Sequence, residues 1–130
     1  MWREDYGKFE DLEKQILYKR VVEWDEDKLV LDDGTVITIE CSEQDCCASA
    51  GGTFKNVELD AVITSASQGS TNSETSEYGY TCNEVMINIY HNQNVIAQAD
   101  CYADNGNGGY YYSVGSLVVK GVHYPVVEAK

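Results

Sequence analysis

The sequence predicts an α+β protein that is mainly antiparallel β-sheet, with about seven or eight strands and one N-terminal helix. Three features carry this expectation. Apolar residues recur at helical spacing only near the start of the chain. From Leu17 onward the alternation has period two. Asp, Asn and Gly then fall at hairpin intervals between the alternating runs.

The helix is expected over Asp5 to Tyr18, where Phe9, Leu12 and Ile16 form one stripe, with Asp5 as its cap. Lys14, Lys19 and Arg20 near its end suit the helix dipole. Three antiparallel strands should follow between Leu17 and Cys41. Val21 to Trp24 leads into the acidic turn Asp25-Glu26-Asp27, then Lys28 to Leu31 meets Asp32-Asp33-Gly34, and Thr35 to Ile39 closes the set. Asp-Gly between apolar runs is a strong hairpin signal, because the turn needs positive φ. Asp45 to Gly52 reads as a short helical turn ended by glycine. Val57 to Ile63 alternates as a strand, and the small polar stretch from Ser65 to Glu77 reads as a flexible loop. Strands are expected over Tyr78 to Tyr90, Asn94 to Ala103, Tyr110 to Lys120 and Val122 to Val127. Asp104-Asn105-Gly106-Asn107-Gly108-Gly109 forms a turn between two of them. Pro125 lacks an amide donor, which places the last strand at an edge.

A chain of 130 residues fits one domain, residues 1–130, and can bury a core without staples. The start, Met1-Trp2-Arg3-Glu4-Asp5, lacks the basic opening and apolar run of a signal peptide. No apolar stretch approaches the roughly 20 residues that span a bilayer. A cytoplasmic location without membrane contact is therefore expected. The cysteines agree: Cys41, Cys46, Cys47, Cys82 and Cys101 are five, an odd number, and read as free thiols.

Charge is the dominant compositional feature. Twenty-two acids face nine bases, for a net charge of −13. Such a field repels nucleic acid and anionic lipid and attracts basic surfaces. Between Asn56 and Val119 there is no Lys or Arg, while Glu58, Asp60, Glu74, Glu77, Glu84, Asp100 and Asp104 all fall there.

No motif carries a reaction, and neither a catalytic residue, a metal ligand set nor a cofactor is expected. Cys41 with Cys46 has zinc-like spacing, but a second pair would have to come from scattered Cys82, Cys101, His91 or His123. Cys47 with His91 or His123 would sit in a negative field that disfavours a thiolate. The acids and asparagines from Asp100 to Asn107 lack calcium-loop grammar.

The order of an Asp-Gly hairpin (Leu29 to Ile39), then Asp45-Cys46-Cys47, then Asn105-Gly106-Asn107-Gly108-Gly109-Tyr110-Tyr111-Tyr112-Ser113-Val114 resembles a family of small bacteriophage proteins of unknown function. Its members pair an early Asp-Cys-Cys with a late Ser/Asn-Gly-Tyr-Tyr-Ser-x-x-Val run. The resemblance covers roughly Leu12 to Val119. It departs at Ala48-Ser49-Ala50-Gly51-Gly52, where the family has an aromatic or branched residue after its cysteines, and after Gly121. It implies a phage gene product acting in the host bacterial cytoplasm and carries over no catalytic residues.

The tyrosines are the remaining candidates. Tyr90, Tyr102, Tyr110, Tyr111 and Tyr112, with Asp104, are candidates for a tyrosine-lined acidic binding face, because tyrosine offers rigid contact area with a polar tip; alternation puts Tyr110 and Tyr112 on one face of their strand and Tyr111 on the other. The alternative is an ordinary half-buried sheet. The function expected is that of a non-enzymatic binding protein that inhibits or modulates a host protein with a basic surface. A nucleic-acid-binding defence enzyme, countered by charge mimicry, would fit. A sponge for a small nucleotide signal and a homo-oligomeric assembly component are the alternatives. Direct nucleic-acid binding is not expected.

Overall fold

The computed structural model describes residues 6–45, 47–77, 79–106 and 111–129. One helix, α1 (Phe9–Ile16), precedes ten strands. These are β1 (Val21–Asp25), β2 (Lys28–Leu31), β3 (Val36–Gln44), β4 (Ala50–Lys55) and β5 (Ser65–Gln68). There follow β6 (Asn72–Thr75), β7 (Thr81–His91), β8 (Asn94–Asp104), β9 (Ser113–Val119) and β10 (Val122–Ala129).

The helix is shorter than its sequence pattern. Lys8, with extended backbone and no side-chain cap, starts it; Asp5, the expected cap, lies outside the described residues. Its end is set by tertiary pairing. Tyr18 takes a left-handed φ of 66° and donates its N–H to the Ile63 carbonyl at 2.7 Å. Leu12 and Ile16 are buried, as the stripe requires.

The three early strands form as expected. At the β2–β3 turn Gly34 has φ 90°, and the Thr35 N–H donates to the Asp33 carboxylate at 3.0 Å. Lys19 Nζ lies 2.7 Å from Asp33. That hydrogen bond, then the backbone and side-chain hydrogen bonds of Thr35, hold the carboxyl well below the usual range. These strands join the last two in a sheet of order β1-β2-β3-β9-β10. Pro125 lies in β10, an edge strand, at a register shift opposite β9.

The second sheet has the order β4-β8-β7-β5, with β6 also paired to β7. Here the strand count exceeds the expected seven or eight. Gly51 and Gly52 do not stop a helix; they lie inside β4. A β-carbon on Gly52 would come within 2.3 Å of the Asp100 carbonyl, so close strand approach explains the glycine. Val57 to Ile63 is not a strand. Asn56 and Asp60 take left-handed φ of 53° and 67°, and only an isolated Arg20–Val62 bridge remains. The apparent alternation there reflects Val57, Ala61 and Ile63 packing on the core from an irregular segment. The polar stretch from Ser65 to Glu77 contains β5 and β6, which line the edge of β7 through Ser65↔Tyr90 and Asn72↔Glu84. An edge strand with one face wet needs no apolar run, so composition concealed it.

The sheets pack face to face, with β8 and β7 against β9 and β10. Val85, Ile87 and Ile89 of β7 and Ala97, Ala99, Cys101 and Ala103 of β8 meet Leu117, Val119, Tyr124 and Val126. Helix α1 closes one flank. Gln15 bonds the Tyr124 hydroxyl, and the Ala66 N–H donates to Glu13 at 2.8 Å. Side chains from the second sheet also occupy carbonyls of β10: Gln68 bonds Val126 O and Asn83 bonds Glu128 O, each at 2.7 Å. Occupied acceptors blunt an edge that would otherwise template another strand. On the opposite flank Phe54, 1% exposed, lies in the core while its N–H bonds the Glu26 carbonyl. Phe54→Ala should cost about 3–5 kcal/mol, read as a lowered urea midpoint. Val36→Ala, at an exposed site of β3, should move stability by less than about 0.5 kcal/mol.

Candidate functional site: the acidic outer face of the second sheet

Alternation along β7 and β8 builds this face. With Val85, Ile87 and Ile89 turned inward, Cys82, Glu84, Met86, Asn88 and Tyr90 turn outward. Across the ladder, Glu84 pairs with Tyr102, which pairs with Gly51; Met86 pairs with Asp100, which pairs with Thr53. Glu74 on β6 pairs with Cys82. Gly52, Thr53, Cys82, Glu84, Asp100 and Tyr102 line a concave site of about 470 Å³.

The charge there is nearly all of one sign. Lys55 is the single Lys or Arg in the strands of this sheet, and its ammonium lies 3.8 Å from Asp100. Two titrating groups register the field. Burial first, then the charges of Asp104, Glu84 and Glu74, push the Cys82 thiol up. Burial first, then Asp104, does the same to the Tyr80 phenol. A thiol held neutral in this way is a poor nucleophile.

Asp104 itself is 8% exposed and belongs to the framework. Its carboxylate accepts from Ser49 N–H at 3.0 Å, Ser49 Oγ at 2.9 Å, Gly106 N–H at 3.1 Å and Tyr80 OH at 3.4 Å. Ser113 Oγ donates to its carbonyl at 2.6 Å. Next to it, Asn105 accepts from the Thr81 N–H at 2.7 Å through its side chain and from the Tyr111 N–H at 2.9 Å through its carbonyl. One carboxylate and one amide thus fasten the β3–β4 link and the start of β7 to the end of β8.

Among the described residues the expected tyrosine face does not form as one cluster. Tyr102, 37% exposed, and Tyr90 share the outer face. They are separated by six positions of β7, about 20 Å, and the Tyr90 hydroxyl accepts from Ser67 at 3.3 Å. Tyr111 and Tyr112 are half-buried where β8 passes over to β9; Tyr112 donates to Glu128 at 3.3 Å. Burial first, then Glu128 and Glu43, pushes its phenol up. Tyr110 lies outside the described residues. Of the expected residues, Tyr102 lines the concave site. Glu84, Asp100, Thr53 and Gly52 join it there, and their signal in the sequence is the alternation opposite buried Val85 and Cys101.

A second polar cluster was also missed. The Ser42 hydroxyl lies 2.6 Å from Ser116 Oγ and 2.7 Å from His123 Nδ1. It ties β3, β9 and β10 together. Among the described residues no group of three or more His, Cys, Asp or Glu is placed to hold a metal ion. No helix among them is long and apolar enough to cross a membrane.

Asp104→Ala should strand the Ser49 and Gly106 donors and lower stability by about 3 kcal/mol, measured by urea unfolding. A second expectation concerns Cys101, whose thiol burial pushes up from near 9 to about 12. Below pH 9 both folded and unfolded chains keep this proton, so it adds no slope. Between about 9 and 12 only the unfolded chain releases it, so stability falls as pH rises. Against a Cys101→Ala control, wild-type stability should drop by about 1.4 kcal/mol per pH unit in that window.

No curated protein and no solved structure matches this chain. A family model described as a domain of unknown function, DUF7448, matches residues 14–118. The match takes in β1 to β8 and most of β9, and with them the whole acidic face; the chain belongs to the DUF7448 family.

Proposed function

We propose that this protein is a non-catalytic binding protein whose acidic outer sheet face takes the basic surface of another protein. The observation that carries the reading is spatial. The base-free stretch of sequence folds into β5 to β9, so the second sheet presents Glu74, Glu84 and Asp100 against the single cation Lys55. Complementary potentials of this kind raise association rates and select partners by charge sign. Tyr102 adds exposed aromatic area on the same face. A nucleotide sponge would need cations where the sheet carries carboxylates.

On the resemblance to small phage proteins, the chain is phage-encoded, and the partner is a host protein in the bacterial cytoplasm. A nucleic-acid-binding defence enzyme fits, with the carboxylates taking the place of phosphates.

The test is a pull-down from bacterial lysate at low and high salt, with native mass of the eluted species. A stoichiometric partner with a basic nucleic-acid-binding surface should be retained at low salt. It should be released as the Debye length shrinks from about 10 Å toward about 3 Å, and lost with the Glu84→Lys, Asp100→Lys double variant. Recovery of the bait alone, or of a partner indifferent to salt and to that variant, would overturn the reading.

A further inference from the structure

We propose that the concave site beside Tyr102 is a guanidinium pocket that receives one arginine side chain of the basic partner, an inference that rests on the acidic-face reading above. The site has a shape as well as a charge. Tyr102 lies across Gly51: a β-carbon there would be 3.5 Å from the Tyr102 hydroxyl and 3.6 Å from Cε1. The ring therefore lies over the backbone of β4 at Gly51, and Tyr102 stands as one wall of a 470 Å³ cavity.

Two carboxylates flank it. Glu84 is the cross-strand partner of Tyr102, so their β-carbons are about 5 Å apart. Its carboxylate has no ion pair among the described residues. Asp100 stands two residues earlier on the same face of β8, and its contact with Lys55, at 3.8 Å, is longer than a hydrogen bond. Thr53, the cross-strand partner of Asp100, adds a hydroxyl at the β4 side. Cys82 contributes a neutral thiol, not a competing cation.

An aromatic face beside carboxylates favours arginine over lysine. The guanidinium is planar, stacks on a ring and donates two parallel hydrogen bonds to one carboxylate. A lysine ammonium is a compact, strongly hydrated charge that gains less from the ring. Phosphate groups would meet Glu84 and Asp100 as like charges.

The test is an amide-shift titration of the full chain with N-acetyl-arginine methylamide, with N-acetyl-lysine methylamide as the comparison. Saturable shifts should be confined to Gly51 to Thr53, Glu84 and Asp100 to Tyr102, and lysine should bind more weakly. Glu84→Gln should remove most of the response, while the remaining spectrum stays unchanged. Tyr102→Leu should weaken arginine about two- to five-fold, and Tyr102→Phe, which keeps the ring, should not. No localised shift, an equal response to lysine, or full binding by Glu84→Gln would overturn the pocket. Salt-sensitive capture of a basic protein without guanidinium binding would leave the acidic-face reading standing and the pocket refuted. Guanidinium binding without a basic protein partner would leave the pocket and remove that reading.

Discussion

Burial of Val85, Ile87 and Ile89 on β7, and of Ala97, Ala99, Cys101 and Ala103 on β8, against the first sheet fixes the register of the long central hairpin. Side chains alternate with period two, so a slip of one residue would carry this entire apolar set into water. Burying these side chains is worth on the order of 1 kcal/mol or more for each of the larger ones. The register therefore has one strongly favoured value. The same constraint turns Glu84, Asp100 and Tyr102 outward and sets them side by side. The composition of the outer face is a by-product of core burial, and the site needs no separate device to bring its residues together.

Where the hairpin ends, apolar burial no longer dictates the path, and hydrogen bonds take over. Asp104 and Asn105 bind the β3–β4 link, the start of β7 and the entry to β9 through donors that the turns leave without ladder partners. Buried polar groups are tolerable only when satisfied. Among the described residues none of the buried side-chain N or O atoms lacks a partner. The carboxylate that appeared in the sequence as part of a binding face is spent on this fastening. Its charge still reaches Cys82 and Tyr80 from beneath the surface.

The hairpins, the edge position of Pro125 and the apolar stripe of α1 were legible because each depends on local chemistry: positive φ at Gly34, a missing N–H, a 3.6-residue period. What was not legible depends on partners distant in sequence. The absence of a β-carbon at Gly52 is required by the Asp100 carbonyl, some fifty positions away. Strands β5 and β6 exist because β7 offers an edge, although Ser, Thr and Asn favour turns on their own. Val57 to Ile63 shows the converse. Its alternation satisfied burial through an irregular path with two left-handed residues, Asn56 and Asp60. Tyr102 and Tyr112 were candidates for one binding face, yet Tyr112 turns to Glu128 on β10 while Tyr102 faces out from β8. Residue type identified the aromatics; only register decided which of them reached the acidic surface.

The negative field also bears on what the face does chemically. Burial first, and then the carboxylates, which raise the free energy of every further anion, push the Cys82 thiol and the Tyr80 phenol up. A surface that suppresses thiolate and phenolate suppresses nucleophilic attack from those groups, and it repels anionic substrates as well. The same repulsion costs folding free energy that an incoming cation can return. Any cation placed on this face relieves carboxylate–carboxylate repulsion in addition to forming its own contacts. Because the carboxylates stand on paired strands, and not on loops, little conformational freedom is lost at that moment. Repulsion stored on a rigid sheet thus favours the approach of positive charge.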